Sequence, residues 1–275
     1  MAFFEGKIAV ITGAASGIGR GLAERGHAQG MKLVLADRDA AALGALAASL
    51  DGAIAVPTDV TDPAALVALA DAAWAAFGGV DLLFNNAGIM ATGYSWEIEP
   101  ARWDASINVN LKGILHGIRA FVPRMIAQGR GHIVNTASVG GFGASPLMAP
   151  YSVTKFAAVA LTESLHAELA MIGAPVGVSL LAPGPVKTGI FDNPFGDIAN
   201  PAAEHFVAEL RHMLDTYGLE PGEFADKVYD ALAEGQFWIV PQPEALDPML
   251  KARTETILAR RTPEFSWSGG DPVEA

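Results

Sequence analysis

The chain has 275 residues, of which 51% are hydrophobic and 17% charged, a balance that supports a large buried core and excludes a disordered chain. It contains no cysteine, which removes disulfide scaffolds, cysteine-ligated zinc, iron–sulfur clusters and thiol nucleophiles together. Lys and Arg number 18 against 30 Asp and Glu, and the resulting net charge of −12 repels phosphate backbones, so nucleic acid is not an expected partner.

Short apolar runs alternate with longer Ala-rich amphipathic stretches. Residues 7–12 read as a first strand and 17–29 as a helix opened by glycines. A second strand at 32–36 ends at Asp37, and 40–50 is helical. A third strand at 53–57 precedes a helix at 63–77, with Pro63 in its first turn. The fourth strand spans 80–85. One helix is expected from about 100 to 126, with Pro123 near its end. Residues 132–136 form the fifth strand, 151–172 a helix, 176–181 the sixth strand and 237–240 the seventh. Strands apolar on both faces, alternating with helices, predict an α/β fold: a doubly wound, parallel, seven-stranded sheet with helices on both faces, of Rossmann type. No Pro/Gly/Ser linker divides it, so residues 1–261 are expected to form one catalytic domain. The stretch at about 188–220, with Pro194 and Pro201, reads as an irregular insertion carrying short helices, and 262–275 as a loose tail. The opening residues lack the basic and apolar regions of a secretory leader, and the long uncharged stretches at 133–154 and 169–186 are interrupted by polar residues, Gly or Pro. A cytoplasmic protein without a membrane span is therefore expected.

The first strand runs into Thr12-Gly13-Ala14-Ala15-Ser16-Gly17-Ile18-Gly19. Glycines here permit a tight strand-to-helix turn, and the helix N-terminus offers free N–H groups and a positive dipole end to a pyrophosphate. Asp37, ending the second strand, can accept hydrogen bonds from the adenosine ribose and repels a 2′-phosphate, which favours NAD. Arg38 beside it could clamp that phosphate and leaves NADP as the alternative. Tyr151 and Lys155 stand four residues apart, hence on one helix face. A cation beside a phenol favours phenolate, so the Tyr151 pKa is expected to fall toward the working pH and equip it for proton exchange with an alcohol or carbonyl oxygen. Ser138 and the run Asn85-Asn86-Ala87-Gly88 lie at the carboxyl ends of strands, the edge where open α/β sheets bind ligands. Asn110 lies within a predicted helix. The six histidines share no metal-binding spacing, and no metal is expected.

In order along the chain, Thr12-Gly13 through Gly17-Ile18-Gly19, Asp59-Val60, Asn86-Ala87-Gly88, Asn110, Ser138, Tyr151 with Lys155, and Pro183-Gly184-Pro185-Val186-Lys187-Thr188 together resemble a short-chain dehydrogenase/reductase of the single-domain branch, over about residues 6–190. That resemblance implies the following roles. Gly13, Ser16, Gly17, Ile18, Gly19, Pro183 and Gly184 belong to the cofactor site. Asp59, with Val60 beside it, binds the adenine amino group. Asn86, Ala87 and Gly88 line the cofactor and steady the central sheet. Ser138 holds and polarises the substrate oxygen, and Tyr151 is the general acid/base. Lys155 binds the nicotinamide ribose and lowers the Tyr151 pKa. Asn110 supports a water linking Lys155 to solvent, and Val186 and Thr188 hold the nicotinamide carboxamide. Ala137 stands where many members have a second serine, a departure that touches no catalytic position.

The family analogy makes the segment after Thr188 a cover for a small-molecule substrate. Ile190, Phe191, Pro194 and Phe195 on it, with Phe142, Leu147, Met148, Tyr94 and Trp96 facing them, predict a bulky apolar or aromatic secondary alcohol or ketone; the same aromatics could instead pack only the lid or an interface. The run from Tyr217-Gly218-Leu219-Glu220 to Trp238-Ile239-Val240-Pro241 resembles the ending of bacterial members that oxidise aryl-substituted secondary alcohols, including lignin-derived ethers. Members usually form homodimers or homotetramers, here through the helices at about 100–126 and 151–172. Three alternatives compete. A 3-oxoacyl-carrier-protein reductase needs NADPH and a basic mouth, against Asp37 and the acidic charge. A non-catalytic dinucleotide-binding sensor usually loses the Tyr or Lys that stand here. An epimerase or dehydratase is normally longer.

Overall fold

The computed structural model describes residues 3–192 and 201–263. Seven strands, β1 (Ile8–Thr12), β2 (Lys32–Asp37), β3 (Ile54–Pro57), β4 (Leu82–Asn85), β5 (His132–Thr136), β6 (Gly177–Leu181) and β7 (Trp238–Ile239), form one sheet in the order β3-β2-β1-β4-β5-β6-β7. Every pairing in it is parallel. The order reverses between β1 and β4, so their carboxyl ends open a crevice at the switch point. β1 is Ile-Ala-Val-Ile-Thr with every residue buried, as a central strand covered on both faces requires.

Helices α1 (Gly17–Ala28), α2 (Ala40–Ser49), α3 (Pro63–Phe77), α4 (Pro100–Ile107), α5 (Gly113–Gln128) and α6 (Ala149–Met171) return the chain between strands. Local chemistry sets their ends. Asp39 caps α2 by accepting from the Ala42 N–H at 3.0 Å, and Asp62 caps α3 by accepting from Ala64 at 2.9 Å. One apolar cluster, with Leu22, Phe84 and Tyr229, fills one face of the sheet; a second, with Leu66, Phe121 and Leu165, fills the other.

The single helix expected at 100–126 is interrupted. Asn108–Lys112 form a wider π turn between α4 and α5, and Pro123 lies inside α5, which continues to Gln128. The region around 188–220 is also more regular than expected. Past the short turn Gly189–Phe191, α7 (Pro201–Tyr217) is one 17-residue helix rather than several short ones. Two further helices, α8 (Pro221–Ala233) and α9 (Pro243–Leu258), flank β7. Each of these three opens on a proline, which fits the first helical turn because its missing N–H has no partner to lose there. The expected tail lies almost wholly outside the described residues. Among the described residues no helix is long and apolar enough to cross a membrane, and no cluster of metal-ligating side chains occurs.

A buried polar chain fixes where α6 sits. The Asn85 amide donates to Asn135 Oδ1 at 2.8 Å, the Asn135 amide donates to Thr162 Oγ1 at 3.1 Å, and Thr162 donates to the Ala158 carbonyl. A one-residue slip of α6 would strand these groups in the core, at roughly 1–3 kcal/mol apiece. The chain thereby holds the N-terminal turns of α6, and Tyr151 and Lys155 on them, at the carboxyl edge of β5.

Candidate active site

β1 enters the turn at Gly13 (φ +67°) and leaves it at Gly17 (φ +51°), both in the left-handed region that glycine tolerates. Gly19 is a matter of space: a Cβ there would lie 2.0 Å from the Gly13 carbonyl oxygen. Ser16, the N-cap of α1, makes no side-chain cap bond, so the first-turn N–H groups of α1 have no capping side chain. Thr12 ties this turn to the end of β4. Its hydroxyl donates to the Phe84 carbonyl at 3.1 Å and accepts from the Asn86 and Ala87 N–H groups, while the Asn86 amide donates to the Thr12 carbonyl. On the far side of the turn, Thr188 lies against Gly17: a Cβ on Gly17 would come within 2.9 Å of its methyl.

Asp37 closes the other flank. Its carboxylate accepts from the Ala15 N–H at 3.1 Å and the Asp39 N–H at 3.0 Å, which points it at the glycine turn. The Thr61 N–H and hydroxyl both donate to Asp59 and hold its carboxyl below the ordinary value, with the nearby Arg38 charge adding to the effect. The exposed Arg38 thus stands close enough to Asp59 to act on it. Val60 is buried, and its carbonyl pairs with His116 Nδ1 at 2.9 Å.

Ser138 leads the turn Val139–Gly141, where its Oγ accepts from the Gly140 N–H at 3.1 Å and lies 3.5 Å from the Pro183 carbonyl. The same hydroxyl hydrogen-bonds Tyr151, which is 8% exposed. Lys155 Nζ donates to the Thr136 carbonyl at 2.9 Å and lies 5.5 Å from the Tyr151 ring centre. Asn110 sits fully buried in the π turn. Its Oδ1 accepts from the Ile89 N–H, and its amide donates to the Ile89 carbonyl and to Thr154 Oγ1. Gly88 lies between Asn110 and Lys155; a Cβ on it would be 3.5 Å from Asn110 Oδ1 and 3.6 Å from Lys155 Nζ. The structure therefore gathers the four polar side chains singled out by sequence at one sheet edge, close to the glycine turn.

One electrostatic expectation is corrected. Burial raises the Tyr151 pKa above its ordinary value, with the Ser138 hydrogen bond opposing, rather than Lys155 lowering it. Desolvation penalises the phenolate, and the ammonium is engaged with the Thr136 carbonyl instead of the phenol. Burial also pushes Lys155 down to about 8.

Tyr151 belongs to an apolar cluster with Met90, Leu147, Met148, Phe191 and Phe206, against which Tyr94 and Ile190 pack. The Gly93 N–H donates to the Leu147 carbonyl and joins the two loops. Tyr94 stacks on the exposed Trp96 with ring centres 4.8 Å apart. Phe142 does not join them; it packs edge-on against Trp238 in a separate cluster. Pro194 and Phe195 lie outside the described residues. A cavity of about 620 Å³ opens between Gly17, Thr188, Arg211 of α7 and Gly222 of α8; it reaches the glycine turn but is not lined by Tyr151. Sequence reading missed the Thr136 carbonyl and Thr154 as partners of Lys155 and Asn110. The helical spacing of Thr154 from Tyr151 was the one available signal.

A parallel sheet with a glycine turn at its switch point and a Ser–Tyr–Lys group at the same edge defines a Rossmann-type oxidoreductase. The chain belongs to the short chain dehydrogenase family, whose model matches residues 7–197. It is similar to a short chain dehydrogenase/reductase from Burkholderia phymatum solved in complex with NAD, at 41% identity and a TM-score of 0.90 over 100% of both chains. It is 35% identical to a C alpha-dehydrogenase of Sphingobium sp. (strain NBRC 103272 / SYK-6), over 90% of this chain and 84% of that one. A 3-ketoacyl-(acyl-carrier-protein) reductase from Brucella melitensis, complexed with NADH, is 31% identical with a TM-score of 0.74, covering 86% of this chain and 97% of that one.

Proposed function

We propose that this oxidoreductase interconverts a bulky apolar or aromatic secondary alcohol and its ketone, with NAD as cofactor. The observation that carries the reading is Tyr151, hydrogen-bonded to Ser138 and inside an apolar cluster, at the sheet edge that also holds the glycine turn. The residues fit a dinucleotide. The uncapped N-terminus of α1 suits a pyrophosphate, and the close packing of Gly19 on Gly13 leaves no side chain in the way. Gly13, Ser16, Gly17, Ile18 and Gly19 would hold the phosphates, Asp37 the adenosine ribose, and Asp59 and Val60 the adenine. Asn86, Ala87, Gly88, Lys155, Val186 and Thr188 would hold the nicotinamide half, with Pro183 and Gly184 shaping their loop. Bound nicotinamide would supply the hydride acceptor or donor.

The chain supplies the rest. Ser138 Oγ orients the substrate oxygen by a hydrogen bond. Tyr151, kept protonated by burial, donates to a ketone oxygen in reduction. In oxidation it takes the alcohol proton, a direction favoured by the Ser138 hydrogen bond against the cost of burial. Asn110 keeps the Gly88–Ile89 backbone beside Lys155 by its two bonds to Ile89. The preference for NAD is supported by the Asp37 carboxylate, aimed at the turn where a 2′-phosphate would crowd it, and by the NAD and NADH in two structural relatives. The substrate class is supported by the apolar cluster and by the similarity to a C alpha-dehydrogenase, which extends past the core fold. We read residues 1–261 as one catalytic unit and 188–220 as its cover, since Phe191, Phe206 and Leu214 pack in the same cluster as Tyr151. Exposed Leu115 and Val153 on α5 and α6 support a homodimer or homotetramer through those helices.

The similarity to a 3-ketoacyl-(acyl-carrier-protein) reductase favours that activity as a second reading. Nicotinamide absorbance with bulky aryl secondary alcohols, and in parallel with a 3-oxoacyl thioester, using NAD and NADP or their reduced forms, separates the two. Turnover of the alcohols with NAD is expected, and turnover of the thioester with NADPH alone would overturn the first reading. Tyr151→Phe should lose about 10²–10⁴-fold in kcat while its NAD Kd stays near the wild-type value.

A further inference from the structure

We propose that Gln242, at the N-cap of α9, is a positioning residue for the 183–188 loop, and that α9 thereby sets the affinity for the dinucleotide. The role rests on the reading of that loop as part of the cofactor site. Gln242 is 4% exposed, unusual for a glutamine, and both ends of its amide are used on the loop. Its Oε1 accepts from the Gly184 N–H at 3.1 Å, and its Nε2 donates to the Pro185 carbonyl at 2.6 Å. It makes no cap bond to its own helix. The side chain thus stands in for a strand partner at Gly184 and Pro185, where the backbone has just left β6 and has not yet reached its bridge between Val186 and Leu219.

The bonds of this loop lead into the site. The Pro183 carbonyl accepts from the Val139 N–H at 2.9 Å and lies 3.5 Å from Ser138 Oγ. The Pro185 carbonyl also accepts from the Leu219 N–H, and the Lys187 N–H donates to the Leu219 carbonyl. The next residue, Thr188, meets Gly17. The loop is therefore held from two sides, by Leu219 between α7 and α8 and by Gln242 between β7 and α9. Pro241 and Pro243 flank Gln242 and restrict its backbone. α9 is itself seated: Ala245 lies against Gly184, Met249 against Gly143, and the Arg253 guanidinium 5.1 Å from the Phe156 ring centre. A flexible amide on a mobile helix could not define the loop; on this helix it can.

The test uses the full chain with Gln242→Met, which keeps the length of the side chain and removes both bonds. Gln242→Glu keeps the acceptor for Gly184 and sets a carboxylate oxygen against the Pro185 carbonyl. Amide hydrogen exchange of the ligand-free protein and NAD binding by calorimetry are the two readouts. In Gln242→Met the Gly184 and Val139 amides should exchange at least about tenfold faster while β1 and β4 keep their protection, and the NAD Kd should rise about tenfold or more. Gln242→Glu should also weaken binding, with a loss that grows from pH 4 to pH 7 as its carboxyl ionises. Unchanged Kd in Gln242→Met beside a normally binding wild type would overturn the role given to Gln242. So would faster exchange spread over the whole sheet, because that marks a general loss of stability. A wild-type chain binding neither NAD nor NADP would instead overturn the dinucleotide reading, and it would show this without any variant.

Discussion

Lys155 is predicted to weaken the fold that it serves. Burial lowers its pKa from 10.5 to about 8, which corresponds to about 3 kcal/mol against keeping the ammonium in the core. Replacing it by methionine removes that penalty at similar length. The Thr136 carbonyl then loses the Nζ donor it accepts from at 2.9 Å, costing about 1 kcal/mol. The net expectation for Lys155→Met at pH 7 is a gain of about 2 kcal/mol, which is roughly 4–8 °C in Tm for a chain of this size. The sign follows from the direction of the shift. The folded chain holds this proton less tightly than the unfolded one, so the wild-type deficit is full below pH 8 and fades between pH 8 and 10.5. Urea unfolding of both ligand-free proteins across that range should show the gap closing, with activity lost in the variant throughout. A variant less stable than wild type at pH 7, or a gap that does not change with pH, would refute the reasoning.

Other expectations are as direct. His132 is pushed down to about 4 by burial, with the Lys7 charge adding, and its Nε2 pairs with Ser179 Oγ, which itself donates to the Gln236 carbonyl. Its folded pKa lies below the unfolded 6.5, so wild-type stability relative to His132→Gln should fall by up to about 3 kcal/mol between pH 6.5 and pH 4, read from urea midpoints; a constant difference argues against this origin. Gly19→Ala places a methyl 2.0 Å from a backbone oxygen, so the turn must open: a stability loss of about 2 kcal/mol or more and a dinucleotide Kd raised at least tenfold are expected by calorimetry. Asp37→Asn keeps an oxygen acceptor for only one of the Ala15 and Asp39 N–H groups and removes the charge, and the ratio of NADP to NAD affinity should rise about tenfold; an unmoved ratio would place the choice elsewhere.

Much of the sheet could be read from sequence, because a strand covered on both faces must be apolar throughout, as at Val10 and Leu83. The crevice residues were legible for related reasons: Gly13 and Asp37 are types whose chemistry depends on their being at strand ends, and Tyr151 stands one helical turn from Lys155 on α6. The π turn was not legible. One extra residue in a helix leaves the apolar spacing nearly intact, and only the inward-facing Asn110 reports it. Helix α7 was read as short helices in an irregular insertion because Pro194 and Pro201 were weighed as interruptions, although a first-turn proline starts a helix; α8 and α9 had no reading at all. The direction of the Tyr151 shift was misjudged because helical spacing shows which groups are neighbours but not how much water each has lost. Gln242 carried no signal, since its role depends on where a distant loop lies.

The contact between Gly17 and Thr188 has a consequence for biosynthesis. The glycine turn leaves the ribosome early, yet its facing wall does not exist until β6 has inserted beside β5 and the chain beyond it has turned back. A nascent chain halted before β6 carries the glycine turn with an open flank. A ligand that needs both walls can stabilise finished molecules only, since binding acts by mass action on the state that binds. The slow parallel pairing of a sheet whose neighbours are far apart in sequence must therefore be completed unaided, and cofactor supply in the cell would set how long finished chains last rather than how many are made.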